Sequence, residues 1–253
     1  MVLSGIHEGF TWDVKYSHSG ELLASSCNEG IISVHTTTSD YSKVATFKTS
    51  RKARDLSFSL SDSLLAVSNH GSPTTIWSTA DYTCLYELSS SCIGSVVAFL
   101  SDDVILTGTE KSVGVVRLEN PQECVAIDGR LIGRVGEYAL AVHIPTNRIA
   151  FIKSIQCHVV DADSYDTICT LDTGICNVIE FDSDTGDLVT ADSVSHHVIV
   201  WDAATGSKKG EYSADAAVWG LSIAAPSHGE YRYVWYVFSL FSVHLLVLPP
   251  VII

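Results

Sequence analysis

Charge is scarce in this 253-residue chain, and one sign of it is scarcer still. Charged residues make up 17% of the total, against the ~25% usual in soluble domains. Lys and Arg number 15 against 29 Asp and Glu, for a net charge of −14. With a pI near 4.9, the chain repels phosphate backbones, which argues against nucleic acid as a partner. A basic protein or peptide is the charge-complementary partner, although a solvated acidic surface accounts for the charge as well. Basic residues concentrate only in Lys48-Thr49-Ser50-Arg51-Lys52-Ala53-Arg54, which is short and reads as one loop. The seven cysteines include no Cys-x-x-Cys pair. Met1-Val2-Leu3-Ser4-Gly5 lacks the basic and apolar regions of a secretory signal. Together these predict reduced thiols, mostly buried as small hydrophobes, in a cytoplasmic or nuclear protein, and no zinc site. There is no Gly-x-Ser-x-Gly elbow and no phosphate-binding Gly-rich loop, so no cofactor is expected.

What the sequence does have is a repeat. Val198-Ile199-Val200-Trp201 is a β-branched run ending in Trp, followed by the turn formers Asp202-Ala203-Ala204-Thr205-Gly206. This reads as a buried strand and its turn. Weaker copies end at His35, Trp77, Arg117 and Val160, so the five positions are 42, 40, 43 and 41 residues apart. A second register runs in phase with the first. Tyr16, Phe58, Phe99, His143, Phe181 and Ile223, spaced 42, 41, 44, 38 and 42, each close an apolar stretch that leads into a turn. A period in the low forties is that of a β-propeller, at four strands per blade.

The residues also resemble the WD-repeat family. The first blade carries Gly5-Ile6-His7-Glu8, Tyr16-Ser17-His18-Ser19-Gly20 and Leu23-Ala24-Ser25-Ser26-Cys27-Asn28-Glu29-Gly30, and the third carries Leu106-Thr107-Gly108-Thr109. The fifth ends in Trp201-Asp202, the one blade to keep Trp-Asp intact; Trp77 is followed by Ser78, and His35, Arg117 and Val160 replace the Trp elsewhere. The resemblance covers about residues 1–230. It implies blades stiffened by a hydrogen-bonded Asp, His, Ser and Trp. No blade here has the full set, which predicts stabilisation mainly by apolar packing.

The predicted fold class is an all-β β-propeller of four-stranded antiparallel blades, five complete plus a partial or irregular sixth. The blades fall near 6–47, 48–88, 89–127, 128–171 and 172–213, with the sixth from 214. In the family a short N-terminal strand completes the last blade, and Val2-Leu3-Ser4 is barely long enough for that. Residues 231–253 are an atypical hydrophobic tail whose only charge is Arg232. It reads as an irregular blade, as a membrane anchor cut short by Pro249-Pro250, or as a foreign end. The abrupt change after Gly229 favours the last.

Catalytic signals are weak. Asp172-Thr173-Gly174 and Asp184-Thr185-Gly186 spell the aspartic-protease tripeptide, but they flank one strand, and its opposite ends cannot bring the carboxylates together. His196-His197 reads as strand, with side chains on opposite faces. The expected function is a non-catalytic platform that presents propeller loops to other proteins or peptides. The rivals are a propeller enzyme with a site at the central channel and a tail-anchored adaptor. The family's geometry implies that residues four before each aromatic-register position cluster on one face: Trp12, Arg54, Ser95, Ala139, Asn177 and Trp219. Trp and Arg are favoured at interface hot spots. The candidate binding residues are therefore Trp12, Arg54 and Trp219 with neighbouring His7, Glu29, Arg51 and His70. The alternative is that the two Trp side chains fill gaps between blades.

Overall fold

Five four-stranded antiparallel sheets of the β-propeller blade type make up most of the chain, which is all-β as the repeat predicts. The computed structural model describes residues 6–38, 41–108, 113–126, 135–153, 155–176, 178–192, 194–213, 218–223, 233–239 and 242–248. Val2–Ser4, Asn177, Gly229 and Pro249–Pro250 lie outside these residues. Among those described, the one helical element is a three-residue 3-10 turn, Ile144–Thr146. The chain divides into two compact units, one of Gly5–Glu137 and one of Tyr138–Ile253 with Met1–Ser4.

In the Gly5–Glu137 unit, the first blade is β1 (Thr11–Tyr16), β2 (Leu22–Cys27), β3 (Ile31–Thr36) and β4 (Lys43–Lys48). The second is β5 (Ala53–Phe58), β6 (Leu64–Asn69), β7 (Ser72–Ser78) and β8 (Cys84–Glu87). The third is β9 (Val97–Ser101), β10 (Val104–Gly108), β11 (Val113–Arg117) and β12 (Cys124–Ala126). The burial of the strands explains their composition. β6 and β10 are covered on both faces and read as unbroken small and apolar runs, whereas β4 turns only alternate side chains inward and alternates Lys, Thr and apolar residues. Successive blades share cores. Ala24, Ile32 and Val34 pack against Leu56, Phe58, Leu65 and Val67, and Ala66 and Ile76 pack against Val97, Phe99, Ile105 and Val116.

In the second unit, the fourth blade is β13 (Val135–His143), β14 (Arg148–Lys153), β15 (Gln156–Asp161) and β16 (Thr167–Leu171). The fifth is β17 (Val178–Phe181), β18 (Leu188–Ala191), β19 (His197–Trp201) and β20 (Lys208–Ser213). A three-stranded sheet follows, of β21 (Val218–Ile223), β22 (Tyr233–Ser239) and β23 (Ser242–Leu248). The apolar C-terminal stretch thus forms strands, and β22 pairs with both β21 and β23. No helix among the described residues is long and apolar enough to cross a membrane.

A backbone device recurs after the third strand of four blades. Tyr41, Tyr82 and Tyr165 adopt positive φ (45°, 57° and 58°), and Gly206 does so at 75° in the fifth blade. Tyr82, Tyr165 and Gly206 each donate their N–H to the carbonyl four residues back, closing the turn. Glycine takes this conformation freely, whereas a tyrosine held there costs about 1–3 kcal/mol. Packing offsets that cost at Tyr82, whose ring stacks on Phe47 of the preceding blade at 5.9 Å, while Phe47 also meets Trp77 at 4.4 Å.

Two sequence readings need correction. His196 is not in a strand; it sits in the preceding turn at φ 60°, and β19 starts at His197. The basic run is not one loop, since Lys48 ends β4 and Ala53 and Arg54 open β5. Polar contacts accompany the apolar packing that the sequence predicts to dominate. His7 Nε2 meets Ser25 Oγ at 2.8 Å, Trp77 Nε1 donates to Thr75 Oγ1 at 2.9 Å, and Trp201 Nε1 donates to Thr190 Oγ1 at 2.9 Å. Fragments of the polar set survive in three blades.

Candidate interaction site

The inner strands do not begin regularly. In β1 the pairing with β2 jumps from Thr11↔Cys27 to Asp13↔Ser26, so Trp12 is the extra residue of a bulge. In β5 it jumps from Ala53↔Asn69 to Asp55↔Ser68, which makes Arg54 the extra residue. In β21 it jumps from Val218↔Val237 to Gly220↔Tyr236, leaving Trp219 outside the ladder. A bulge releases one residue from pairing and re-aims its side chain, and bulges gather at functional rims. Three of the six positions selected by repeat register are thus ones the ladder skips. Trp219 belongs to the other unit, and its side chain is outside the described residues.

The released side chains of the first two blades meet. The Arg54 guanidinium carbon lies 4.0 Å from the centroid of the Trp12 ring, a cation–π contact worth about 0.5–2 kcal/mol. Arg54 Nη2 also reaches His70 Nδ1 at 3.5 Å, at the outer limit of a hydrogen bond. Trp12 and Arg54 are half-buried, whereas His70, Glu29 and Arg51 are exposed.

Close backbone approaches hold the surrounding loops. The Asn28 N–H donates to the Phe10 carbonyl at 3.0 Å. A Cβ at Gly9 would meet the Glu29 carboxylate and Asn28 Oδ1, so those side-chain ends would have to move to admit any other residue there. Gly30, at φ 77°, likewise leaves room for the Arg51 carbonyl. Thr49 Oγ1 donates to that carbonyl at 2.8 Å, and the His70 N–H donates to the Lys52 carbonyl at 2.9 Å. The structure therefore brings His7, Trp12, Glu29, Arg51, Arg54 and His70 to one loop end of the first two blades.

Phe10, 56% exposed, joins this end. Sequence reasoning missed it, although an aromatic in a turn just before an inner strand was a signal. Burial holds the His7 pKa below its ordinary 6.5; the Glu29 charge pulls it up, and His35 pushes it further down. His7 is therefore neutral at physiological pH. Among the described residues, its Nδ1 and the Asn28 Oδ1 are buried without a hydrogen-bond partner, which is rare for buried polar atoms.

Below the rim runs a set of carboxylates that sequence reasoning also missed. The Leu56 N–H donates to Asp13 Oδ2 at 2.9 Å, and the Val97 N–H donates to Asp55 Oδ2 at 2.7 Å. Asp13 and Asp55 stand three residues before Tyr16 and Phe58, so the aromatic register could have found them. Each reaches the backbone of the next blade one repeat on. At the far turns, Asp62 accepts from the N–H groups of His18 (2.7 Å) and Ser19 (2.8 Å), and Asp102 Oδ1 accepts from the Ser61 N–H at 2.8 Å. The Asp13 carboxylate is a charged neighbour of Asp55. Enclosure by protein pushes its pKa well above 3.8, with the Asp13 charge adding to the shift and Lys15 opposing it. Paired carboxylates can share a proton. Here, though, each holds a neighbouring blade.

The remaining catalytic suspects are turn residues. Asp172 Oδ1 accepts from Gln156 Nε2 at 2.7 Å, and Gly174 and Gly186 take positive φ. His197 Nδ1 lies 2.7 Å from Glu211 Oε1. Among the described residues no cluster of three or more His, Cys, Asp or Glu could hold a metal. No protein-family model matches the chain, and no curated protein matches it.

Proposed function

We propose that the chain is a non-catalytic, WD-repeat-type interaction platform whose docking surface is the loop end of the first two blades. The observation that carries this reading is the pair of bulges at Trp12 and Arg54, which takes both out of the ladder and stacks one on the other at 4.0 Å. A core-filling tryptophan needs no bulge and no cation; a presented one is rigidified by both. Aromatic and Arg side chains anchored this way are the usual centres of interface energy. Blades of this type commonly serve as protein-interaction surfaces, their loops carrying function while the strands carry the fold.

The partner is another protein or a peptide, with basic character favoured by the net charge of −14. Nucleic acid and membrane are not part of the proposal. The compartment that fits reduced cysteines is the cytoplasm or nucleus. The Asp13–Asp55 pair is what an enzymatic reading would build on, and the backbone donors on both carboxylates weigh against it.

The test is affinity capture from the native source with the wild-type chain and with Trp12→Ala, Arg54→Ala and Lys208→Ala. Lys208 is exposed on β20, paired with Glu211. Loss of the captured protein with the first two variants but not the third supports the proposal. Undiminished capture by folded Trp12→Ala and Arg54→Ala overturns it.

A further inference from the structure

Three of the most exposed apolar side chains gather at one loop end of the fourth and fifth blades, both of the unit that begins at Tyr138. Ile155, in the turn between β14 and β15, is 60% exposed. Val194, in the turn between β18 and β19, is 66% exposed, and Ile175, in the connection from β16 to β17, is 54% exposed. Hydrogen bonds and strand register make the three segments neighbours. Gln156 Nε2 donates to Asp172 Oδ1 at 2.7 Å, and Thr173 Oγ1 donates to the Ile155 carbonyl at 3.5 Å, so the first turn rests on the connection. Val178 pairs with Ala191 where β17 meets β18. Ile175 lies three residues before that pair and Val194 three after it, beyond the same end of both strands. From segment to segment the order is Ile155, Asp172, Ile175, Asp192, Val194.

The turns that present these side chains are fixed. The Asp192 N–H donates to the His197 carbonyl at 3.0 Å, and the Val194 N–H donates to Asp192 Oδ1 at 2.6 Å. At Gly174, φ 68°, an added Cβ would meet nothing within 4 Å, so the surface between Asp172 and Ile175 is open. Ile and Val are stiff at χ1, and covering them forfeits little side-chain freedom. Folding does not ask for apolar residues here, since the equivalent turns of the first two blades carry Glu29 and His70. Apolar side chains grouped outside a core mark interaction surfaces. Among the described residues of 155–156, 172–176 and 192–196, Asp172 and Asp192 are the only Asp, Glu, Lys or Arg, so the charge set among the apolar groups has one sign.

We propose that this end is a second docking surface, independent of the Trp12–Arg54 reading, and that its occupant is a segment of a partner protein in which Lys or Arg alternates with apolar residues. The apolar side chains of the segment cover Ile155, Ile175 and Val194, and its cations face Asp172 and Asp192. Each of these carboxylates already accepts a bond within its own loops and has two oxygens, so an ammonium or guanidinium adds to the arrangement without breaking it. An acidic segment would meet two like charges, and a surface of anionic lipid would be repelled in the same way.

The probe is a short fluorescein-labelled peptide of alternating Leu and Lys, titrated with the full chain at physiological salt and read by anisotropy. Companion peptides replace every Lys by Glu or every Leu by Ser. Saturable binding is expected of the Leu–Lys peptide alone. It should weaken about tenfold with Ile155→Ser or Val194→Ser, and about threefold with Asp172→Asn, which keeps an oxygen for Gln156. It should be unchanged with Asp81→Asn, an exposed carboxylate of the second blade, and with Trp12→Ala, so failure of this proposal and failure of the Trp12–Arg54 surface are read separately. Absence of saturable binding, equal binding of the Leu–Glu or the Ser–Lys peptide, or a loss with Asp81→Asn as large as with Ile155→Ser overturns the proposal. Sedimentation and flotation with phosphatidylcholine vesicles cover the other occupants: self-association or vesicle binding that Ile155→Ser abolishes would give the surface to a second copy or to a membrane, and overturns it too. The peptide arms vary the probe alone and do not depend on a variant folding.

Discussion

The Gly5–Glu137 unit and the unit that begins at Tyr138 follow one blade plan but differ in what they leave at equivalent turns. Between the second and third strands, the first two blades carry Glu29 and His70, both exposed. The fourth and fifth blades carry Ile155, 60% exposed, and Val194, 66% exposed, and Ile175 in the connection between them is 54% exposed. The inner strands diverge in the same way. Trp12 and Arg54 open the first two blades, whereas the fourth has Ala139, fully packed. Blade-to-blade joints, by contrast, are built alike: Asp13, Asp55, Asp62 and Asp102 fasten backbone amides of neighbouring blades in the first unit, Glu180 Oε1 accepts from the Ile223 N–H at 3.2 Å in the second, and apolar clusters join blades in both. Repeats that share a fold need the same strands but not the same turns. Charge and a stacked Trp–Arg pair at one set of turns are therefore surplus to folding, and the proposed docking surface rests on that surplus.

The largest expected effect tests the apolar side of this contrast. Trp201 is 8% exposed and donates to Thr190 at 2.9 Å. Trp201→Ala should cost ~3–5 kcal/mol in denaturant titration, as a large cavity in a packed blade does. His35 holds the same register position in the first blade, bonded to Ser33 Oγ and the Tyr41 carbonyl at 2.9 Å each. His35→Ala should cost about 1–3 kcal/mol, the loss of buried hydrogen bonds. Equal losses would erase the distinction between the blades.

Next in size is the functional half. Trp12→Ala should weaken partner binding roughly 30-fold, the effect of one hot-spot residue, while Ile155→Ser and Val194→Ser leave it within about twofold. Titration by calorimetry or surface binding decides; a larger loss from the second-unit variants would move the site there.

A smaller effect should follow pH. The folded-state pKa of Asp55 stands above its ordinary 3.8, so its contribution to stability is complete below 3.8 and is lost as pH rises through the folded value. Asp55→Asn keeps an oxygen for the Val97 N–H and gives Asp13 a donor, so that decline should flatten. Denaturation at a series of pH values would contradict this if wild type and variant decline alike.

His7 runs the opposite way and should have the smallest effect. Its folded pKa lies below 6.5, so its contribution is present above 6.5 and lost as pH falls through the folded value. The His7 ring signal in a proton NMR titration should shift with a midpoint below pH 6.5; a midpoint at or above 6.5 would refute it.

Strand placement was legible in the sequence because burial on both faces imposes unbroken apolar runs such as Leu64-Leu65-Ala66-Val67, and the turn after each resets the register. Trp12 and Arg54 were legible for the same reason: a fixed offset from Tyr16 and Phe58 carries over when every blade has the same inner strand. The carboxylate joints were hidden by their ordinary appearance. An Asp in a strand looks solvated until the backbone of the next blade is beside it, one repeat away. The C-terminal stretch left an irregular blade, an anchor and a foreign end open because its composition suits a membrane as well as a sheet; pairing of β21, β22 and β23 is a tertiary fact.

Amide hydrogen exchange of the full chain, with and without the captured partner, tests the central claim most directly. Docking at the loop end of the first two blades predicts slowed exchange in peptides covering residues 7–12, 28–30, 51–54 and 70–71, with unchanged exchange around Ile155, Ile175 and Val194. Protection confined to those second-unit turns, or to the outer strands β4 and β8, would contradict it.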